Sequence, residues 1–277
     1  MRFFKMNGCG NDFVIFDARA HGALQLSKDQ ARAIADREEG VGCDQVIAIE
    51  RSIRGDAFMR IWNADGGEVT ACGNASRCVA SILLDERGDD GPVKIETLAG
   101  VLKAERTTLG QITVDMGSPL LKWEEIPIAR AMDTERLDYE VDAGLFHLGH
   151  PGACNMGNPH AVFFVNDVKL APVAVIGPRV ETDPFFPDGV NVGFAQILSP
   201  ERIKLRVWER GVGETKACGT GACAAVVAAH RAGLTSRTVT VELEGGDLVI
   251  EWKASDDRVL MTGPVELERV GDLLGAA

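Results

Sequence analysis

The chain has 277 residues, 45% hydrophobic and 25% charged, with a formal net charge of −12, a globular composition long enough for two domains of roughly 140 residues. So negative a chain lacks the basic surface that a nucleic acid or an anionic membrane requires, and neither partner is expected. Asn11 and Asp12 interrupt the early apolar residues, and no apolar run reaches the ~18 residues of a membrane span, so a soluble cytoplasmic protein is expected. Cys9, Cys43, Cys72, Cys78, Cys154, Cys218 and Cys223 make an odd set without an export signal, and read as thiols rather than a disulfide framework.

In chain order, Ser27 and Gln30 form a capping box that predicts an amphipathic helix over 28–39, with Gly40 at its end. AFMRIW (57–62) predicts a strand. Beyond Cys72, Val79, Ile82, Leu83 and Glu86 carry helical spacing as far as Gly88. TLAGVLK (97–103) marks a hairpin, and QITVDM (111–116), HAVFFV (160–165) and RIKLRVW (202–208) mark further strands. ACAAVVAAH (222–230) is apolar all round, with His230 and Arg231 in its last turn and Gly233 beyond. A helix with no polar face must be surrounded. TVTVEL (238–243) and LEGGDLV (243–249) complete a second strand-hairpin set.

These elements repeat. Trp62–Gly117 aligns with Trp208–Gly263 without a gap, a constant offset of 146 over 56 positions with twelve identical pairs, among them Ala71-Cys72-Gly73 with Ala217-Cys218-Gly219. Upstream, GNDFVIF (10–16) resembles GNPHAVFF (157–164), and GVGCDQ (40–45) loosely resembles GVNVGF (189–194). The expected fold is α+β, an internal duplication into two pseudo-symmetric domains, each a barrel-like sheet around one central helix. The expected boundaries are 1–118 and 119–263, with 264–277 packing on the first domain and the active site in the cleft between the two.

Each central helix then begins just after a cysteine, where unpaired backbone N–H groups and the positive end of the dipole favour a thiolate. Gly73-Asn74 and Gly219-Thr220 can present N–H groups to a carboxylate. Two thiols on opposite faces of one carbon are an acid and a base for stereoinversion. Taken alone, a cysteine before glycine is more often a small buried residue, the reading kept for Cys9, Cys43, Cys78, Cys154 and Cys223. ERGVGETKACGTG lacks the Gly-Lys-Ser/Thr of a phosphate loop, no Cys-x-x-Cys pair supports a thiol-disulfide oxidoreductase, and the cysteine spacings are not those of structural zinc, so no metal is expected.

The motifs MNGCGNDF, GVGCDQ, NADG, ACGN, MGNPH, VNVGF and ERGVGETKACGTGACAA, in that order, resemble the diaminopimelate epimerases over nearly the whole chain. The resemblance implies a homodimeric, cytoplasmic isomerase of lysine and cell-wall precursor biosynthesis that epimerises LL- to meso-2,6-diaminopimelate without pyridoxal phosphate or other cofactor. It implies Cys72 and Cys218 as proton donor and acceptor, His160 and Glu209 as residues of efficient catalysis, and Asn11, Gln45, Asn63, Gly73, Asn74, Asn158, Asn191, Glu209, Arg210, Gly219 and Thr220 as substrate ligands. Such a substrate requires amides, an Arg for its distal carboxylate and a Glu for an ammonium group, and this set contains all three. A proline or hydroxyproline racemase of the same superfamily would carry His where Asn74 stands; an inactive amino-acid-binding module would not need both thiols. The sequence departs from the family at Ala75-Ser76, where Gly-Ala is usual, at Asn7, Cys9 and Cys43, and in a tail lacking an aromatic residue soon after MTGP.

Overall fold

The computed structural model describes residues 1–20, 22–89, 91–144 and 146–273, so residues 274–277 of the expected tail lie outside the described residues. The chain forms two compact units, one of residues 1–115 with the chain from Thr262 onward, the other Met116–Met261.

The first unit starts with the antiparallel pair β1 (Arg2–Gly8) and β2 (Asn11–Asp17). The chain crosses through α1 (Lys28–Ala35) to β3 (Gln45–Glu50), parallel to β2, and returns as β4 (Ala57–Asn63), antiparallel to β3. After the short β5 (Glu68–Val69), α2 (Gly73–Arg87) leads to β6 (Val93–Thr97), parallel to β4, followed by antiparallel β7 (Gly100–Arg106) and β8 (Ile112–Asp115). The strand Glu266–Asp272 adds antiparallel to β1.

The second unit opens with a hairpin of β9 (Glu140–Ala143) and β10 (Phe146–Gly149). β11 (Gly152–Asn155), β12 (Pro159–Phe164), α3 (Val173–Glu181), β13 (Asn191–Ser199), β14 (Arg202–Glu209), β15 (Gly213–Thr215), α4 (Gly219–Arg231), β16 (Thr238–Leu243) and β17 (Gly246–Trp252) follow. Their pairings run antiparallel, parallel, antiparallel, parallel, antiparallel, the order seen from β1 to β7. Each parallel pair needs a crossover, and each crossover contains a helix.

The strand-rich α+β class expected from the sequence is the one observed. α2 touches β1 and β2 as well as β6, β7 and β8, and α4 touches β11 to β14, β16 and β17. One helix reaches strands from both ends of a sheet only if the sheet curls around it. α4 is accordingly buried from Ala222 to Ala229, as its all-apolar sequence requires. α1 and α3 cover the outer faces: Ala31, Ile34 and Ala35 pack with Val14, Phe16, Val46 and Trp62, and Ile176 and Val180 with Phe163, Phe186 and Phe194. Burial on both faces is why FVIF and VIAI read as continuous apolar runs, whereas β17 alternates.

The structure departs from the sequence-based expectation in two places. The capping box of Ser27 and Gln30 is present, but the first helix ends at Ala35, four residues short of Glu39. The Asp36 carboxylate accepts from the backbone N–H of Glu38 and Glu39, each at 2.8 Å, an alternative to helical bonding that turns the chain out. Strand register also replaces the loose match of GVGCDQ with GVNVGF. Gln45 pairs with Phe13 and Asn63, and Asn191 pairs with His160, next to Val192 opposite Trp208. Gln45 therefore corresponds to Asn191, at the same offset of 146 as the stretch from Trp62 to Gly117.

Candidate active site

In the first unit the expected residues collect at one end of the sheet. Asn11 begins β2, Gln45 begins β3 and Asn63 ends β4, and Gln45 Nε2 donates to Asn63 Oδ1 at 2.9 Å. Gln45 Oε1 is buried with no hydrogen-bond partner among the described residues. Cys72 is the half-buried N-cap of α2, in extended backbone, and its sulfur does not cap the helix. Its sulfur lies 3.9 Å from Asn11 Oδ1, which also receives Asn74 Nδ2 at 3.5 Å. No acidic residue sits in the first turn of α2, so the dipole there is not offset by a carboxylate of the helix itself.

The second unit repeats the arrangement with charge added. Asn158 precedes β12, His160 lies on it, Asn191 begins β13 and Glu209 ends β14. His160 Nε2 is 2.9 Å from Asn158 Oδ1. Asn191 donates to the Pro159 carbonyl at 2.8 Å and accepts from the Arg210 backbone at 3.0 Å. Arg210 is exposed, its guanidinium 2.6 Å from the Asp188 carbonyl. Cys218 is 4% exposed, and its sulfur caps α4 by accepting from Gly221 N–H at 3.4 Å, with Thr220 Oγ1 at 3.6 Å. Gly219 sits in the first turn behind it, as Gly73 does in α2.

Here the expectation of an activated thiolate is overturned for Cys218. Burial, with the Glu209 carboxylate beside it, pushes the Cys218 thiol well above its ordinary range, and the Thr220 and Gly221 bonds only partly oppose this. Cys218 rests as a thiol. His160 moves the other way: burial, with Arg210 nearby, lowers it to about 3, so the imidazole is neutral.

Several contributors were not apparent from the sequence. Thr215 donates to Glu209 Oε1. Glu181, at the end of α3, accepts from Trp208 Nε1 at 2.6 Å and Gly211 N–H at 2.7 Å, gripping the turn that carries Glu209 and Arg210. Asp44 accepts from Asn11 Nδ2 at 2.6 Å. The only signals for Asp44 and Thr215 are their places in GVGCDQ and ERGVGETKACGTGACAA; nothing in the sequence marks Glu181.

The family model for diaminopimelate epimerase matches residues 3–122 and 152–268. The chain belongs to the diaminopimelate epimerase family. It is 53% identical over 271 residues to the diaminopimelate epimerase of Phenylobacterium zucineum, covering 98% of this chain and 97% of that protein. It is 52% identical to the diaminopimelate epimerase of Acidiphilium cryptum, covering 98% and 95%. Among solved structures, a predicted epimerase from Pseudomonas aeruginosa superposes with a TM-score of 0.72 at 17% identity, covering 99% of each chain. A hydroxyproline epimerase from Agrobacterium vitis superposes with a TM-score of 0.69 at 16% identity, covering 98% of this chain and 90% of its own. At such identities these two share the fold alone. The fold is thus shared with proteins far from this chain in sequence.

Proposed function

We propose that this protein is an isomerase that interconverts LL- and meso-2,6-diaminopimelate, with Cys72 and Cys218 as the two proton carriers at one α-carbon. The observation that carries the reading is the cysteine repeated at the start of each buried central helix, in a chain 53% identical to a diaminopimelate epimerase. One sulfur, as thiolate, takes the α-proton; the other, as thiol, delivers a proton to the opposite face. The thiol and thiolate have then exchanged roles, and proton exchange with water restores the starting form.

Removing the α-proton places negative charge on the adjacent carboxylate. Backbone N–H groups at Gly73-Asn74 and Gly219-Thr220 suit that charge, and they stabilise it more as it grows. This takes the part of an electron sink, so the reaction is proposed to run on the protein's own groups. Glu209 and Arg210 bind the ammonium and carboxylate of the end that does not react, with Asn63, Gln45, Asn158 and Asn191 completing the polar shell and Asn11 beside Cys72. His160, neutral, supports Asn158. A cytoplasmic homodimer serving lysine and cell-wall precursor biosynthesis completes the reading.

The test is epimerisation by the purified reduced protein in D₂O, without added pyridoxal phosphate or metal. Deuterium should enter the α-position of LL-diaminopimelate as the meso form appears, and Cys72→Ala and Cys218→Ala should each abolish epimerisation. Turnover near wild type in either variant would refute the two-thiol assignment.

A further inference from the structure

Asn11 and Asn158 are equivalent in the repeat, yet their side-chain amides are held in opposite senses. Asn158 has its oxygen engaged by His160 Nε2 at 2.9 Å. Asn11 instead has its nitrogen engaged, donating to Asp44 Oδ2 at 2.6 Å, which leaves Oδ1 toward the Cys72 sulfur at 3.9 Å and Asn74 Nδ2 at 3.5 Å. Turning the Asn11 amide over would press its oxygen against a carboxylate oxygen, acceptor against acceptor. The charge on Asp44 therefore decides which end of Asn11 faces the thiol.

Asp44 is itself held. Arg37 meets its Oδ1 at 2.7 Å, and the Asp12 backbone donates to its Oδ2 at 3.1 Å. Arg37 and Lys5 also bind Asp12. The second unit has no counterpart, because strand register sets Val190 opposite Asp44 in the repeat and Pro159 opposite Asp12. A second difference acts in the same direction. A Cβ at Gly221 would lie 3.2 Å from the Cys218 sulfur that caps α4. The equivalent residue in the first unit is Ala75, and there the sulfur does not cap its helix but faces Asn11.

We propose that Asp44 is a positioning residue that locks the Asn11 carbonyl toward Cys72, so that Asn11 receives the Cys72 thiol hydrogen and favours thiol over thiolate. The catalytic meaning of the lock rests on the two-thiol reading above; the lock itself does not. The charged and titratable groups around this pair in the first unit are Lys5, Asp12, Arg37 and Asp44, with Cys78 and, near Cys78, Cys9, Arg77 and Glu268.

The experiment follows iodoacetamide alkylation of Cys72, by peptide mass spectrometry of the full reduced chain, across a pH series in the wild type and Asp44→Ala. The lock predicts a Cys72 profile displaced downward by about one pH unit in the variant, roughly tenfold faster alkylation at pH 7, with the Cys218 profile unmoved. Loss of a nearby charge alone would give a shift that fades in about 0.5 M KCl, whereas a released amide gives one that persists. A Cys72 profile unchanged, or one whose change vanishes in salt, overturns the proposal. In the wild type, the Asn11 side-chain NH₂ should exchange more slowly by ¹⁵N NMR than exposed amides; exchange as fast as theirs also overturns it, whether or not the variant folds. Epimerase turnover of the wild type is measured on the same samples. A displaced Cys72 profile in a chain with no epimerase activity would uphold the lock and refute the function.

Discussion

His160 shows how burial sets the chemistry of a single side chain. It is 1% exposed; its Nε2 faces Asn158 Oδ1, an acceptor, while Nδ1 is buried with no hydrogen-bond partner among the described residues. Neutral imidazole has one N–H, and this geometry assigns it to Nε2. Because burial, then Arg210, lowers the folded value to about 3 while the unfolded chain titrates near 6.5, the unfolded state binds the proton first as pH falls. The contribution to stability is complete above roughly pH 6.5 and is lost progressively toward about pH 3, amounting to about 2 kcal/mol by pH 5. Long-range ¹⁵N NMR should show His160 as the neutral Nε2–H tautomer at pH 5; an imidazolium signal there would contradict the assignment.

At the scale of elements, α3 is held by a glycine against an indole. A Cβ at Gly177 would lie 2.4 Å from Trp208 Cγ, so the close approach of α3 to β14 depends on having no side chain there. That approach lets Glu181 reach Trp208 and Gly211 beside Arg210. Gly177→Ala should destabilise the protein by about 1–3 kcal/mol through overpacking, and should raise KM for diaminopimelate by moving the turn that carries Arg210. Gly88 offers the contrast. It closes α2 in the left-handed region at φ 72°, with nothing among the described residues within 4 Å of an added Cβ. Gly88→Ala should therefore cost about 1–2 kcal/mol, from backbone strain alone, and leave KM unchanged. Urea unfolding alongside steady-state kinetics separates the two cases.

Across the whole molecule, buried thiols make stability sensitive to alkali. Burial pushes Cys43, Cys78 and Cys154 each up to about 12, and Cys218 well above its ordinary range. An unfolded thiol ionises near pH ~8.5, so above that pH the unfolded chain has lost protons that the folded chain keeps. Stability should be level in pH through neutrality, then fall from about pH 8.5 upward, toward about 12 for the first three thiols. Cys154→Ala should be less stable at pH 7, because it leaves a cavity, but should lose stability less steeply between pH 9 and 10.5. Thermal unfolding across that range tests this; equal slopes in variant and wild type would exclude Cys154 as a contributor.

The sequence by itself determined the features that short-range patterns encode. The offset of 146 identified the duplication, the apolar run after Cys218 required a surrounded helix, and Gly88 marked the end of α2 because a left-handed residue terminates a helix locally. It also brought out the seven motifs on which the family assignment first rested. Features set by distant partners were not legible. α3 carries Gly177 and Pro178 and begins after Pro172, a poor helical sequence that forms because its apolar face packs on β13 and β14. The first helix stops at Ala35 because the Asp36 carboxylate captures the next N–H groups, which a count of apolar positions does not register. A helix N-terminus predicted a lowered thiol value, but the depth at which Cys218 is buried, and Glu209 beside it, raised it instead. The amide of Asn11 takes its direction from Asp44, 33 residues along the chain. Hydrogen-bond orientation and desolvation depend on which groups meet in space, and only the folded backbone brings those groups together.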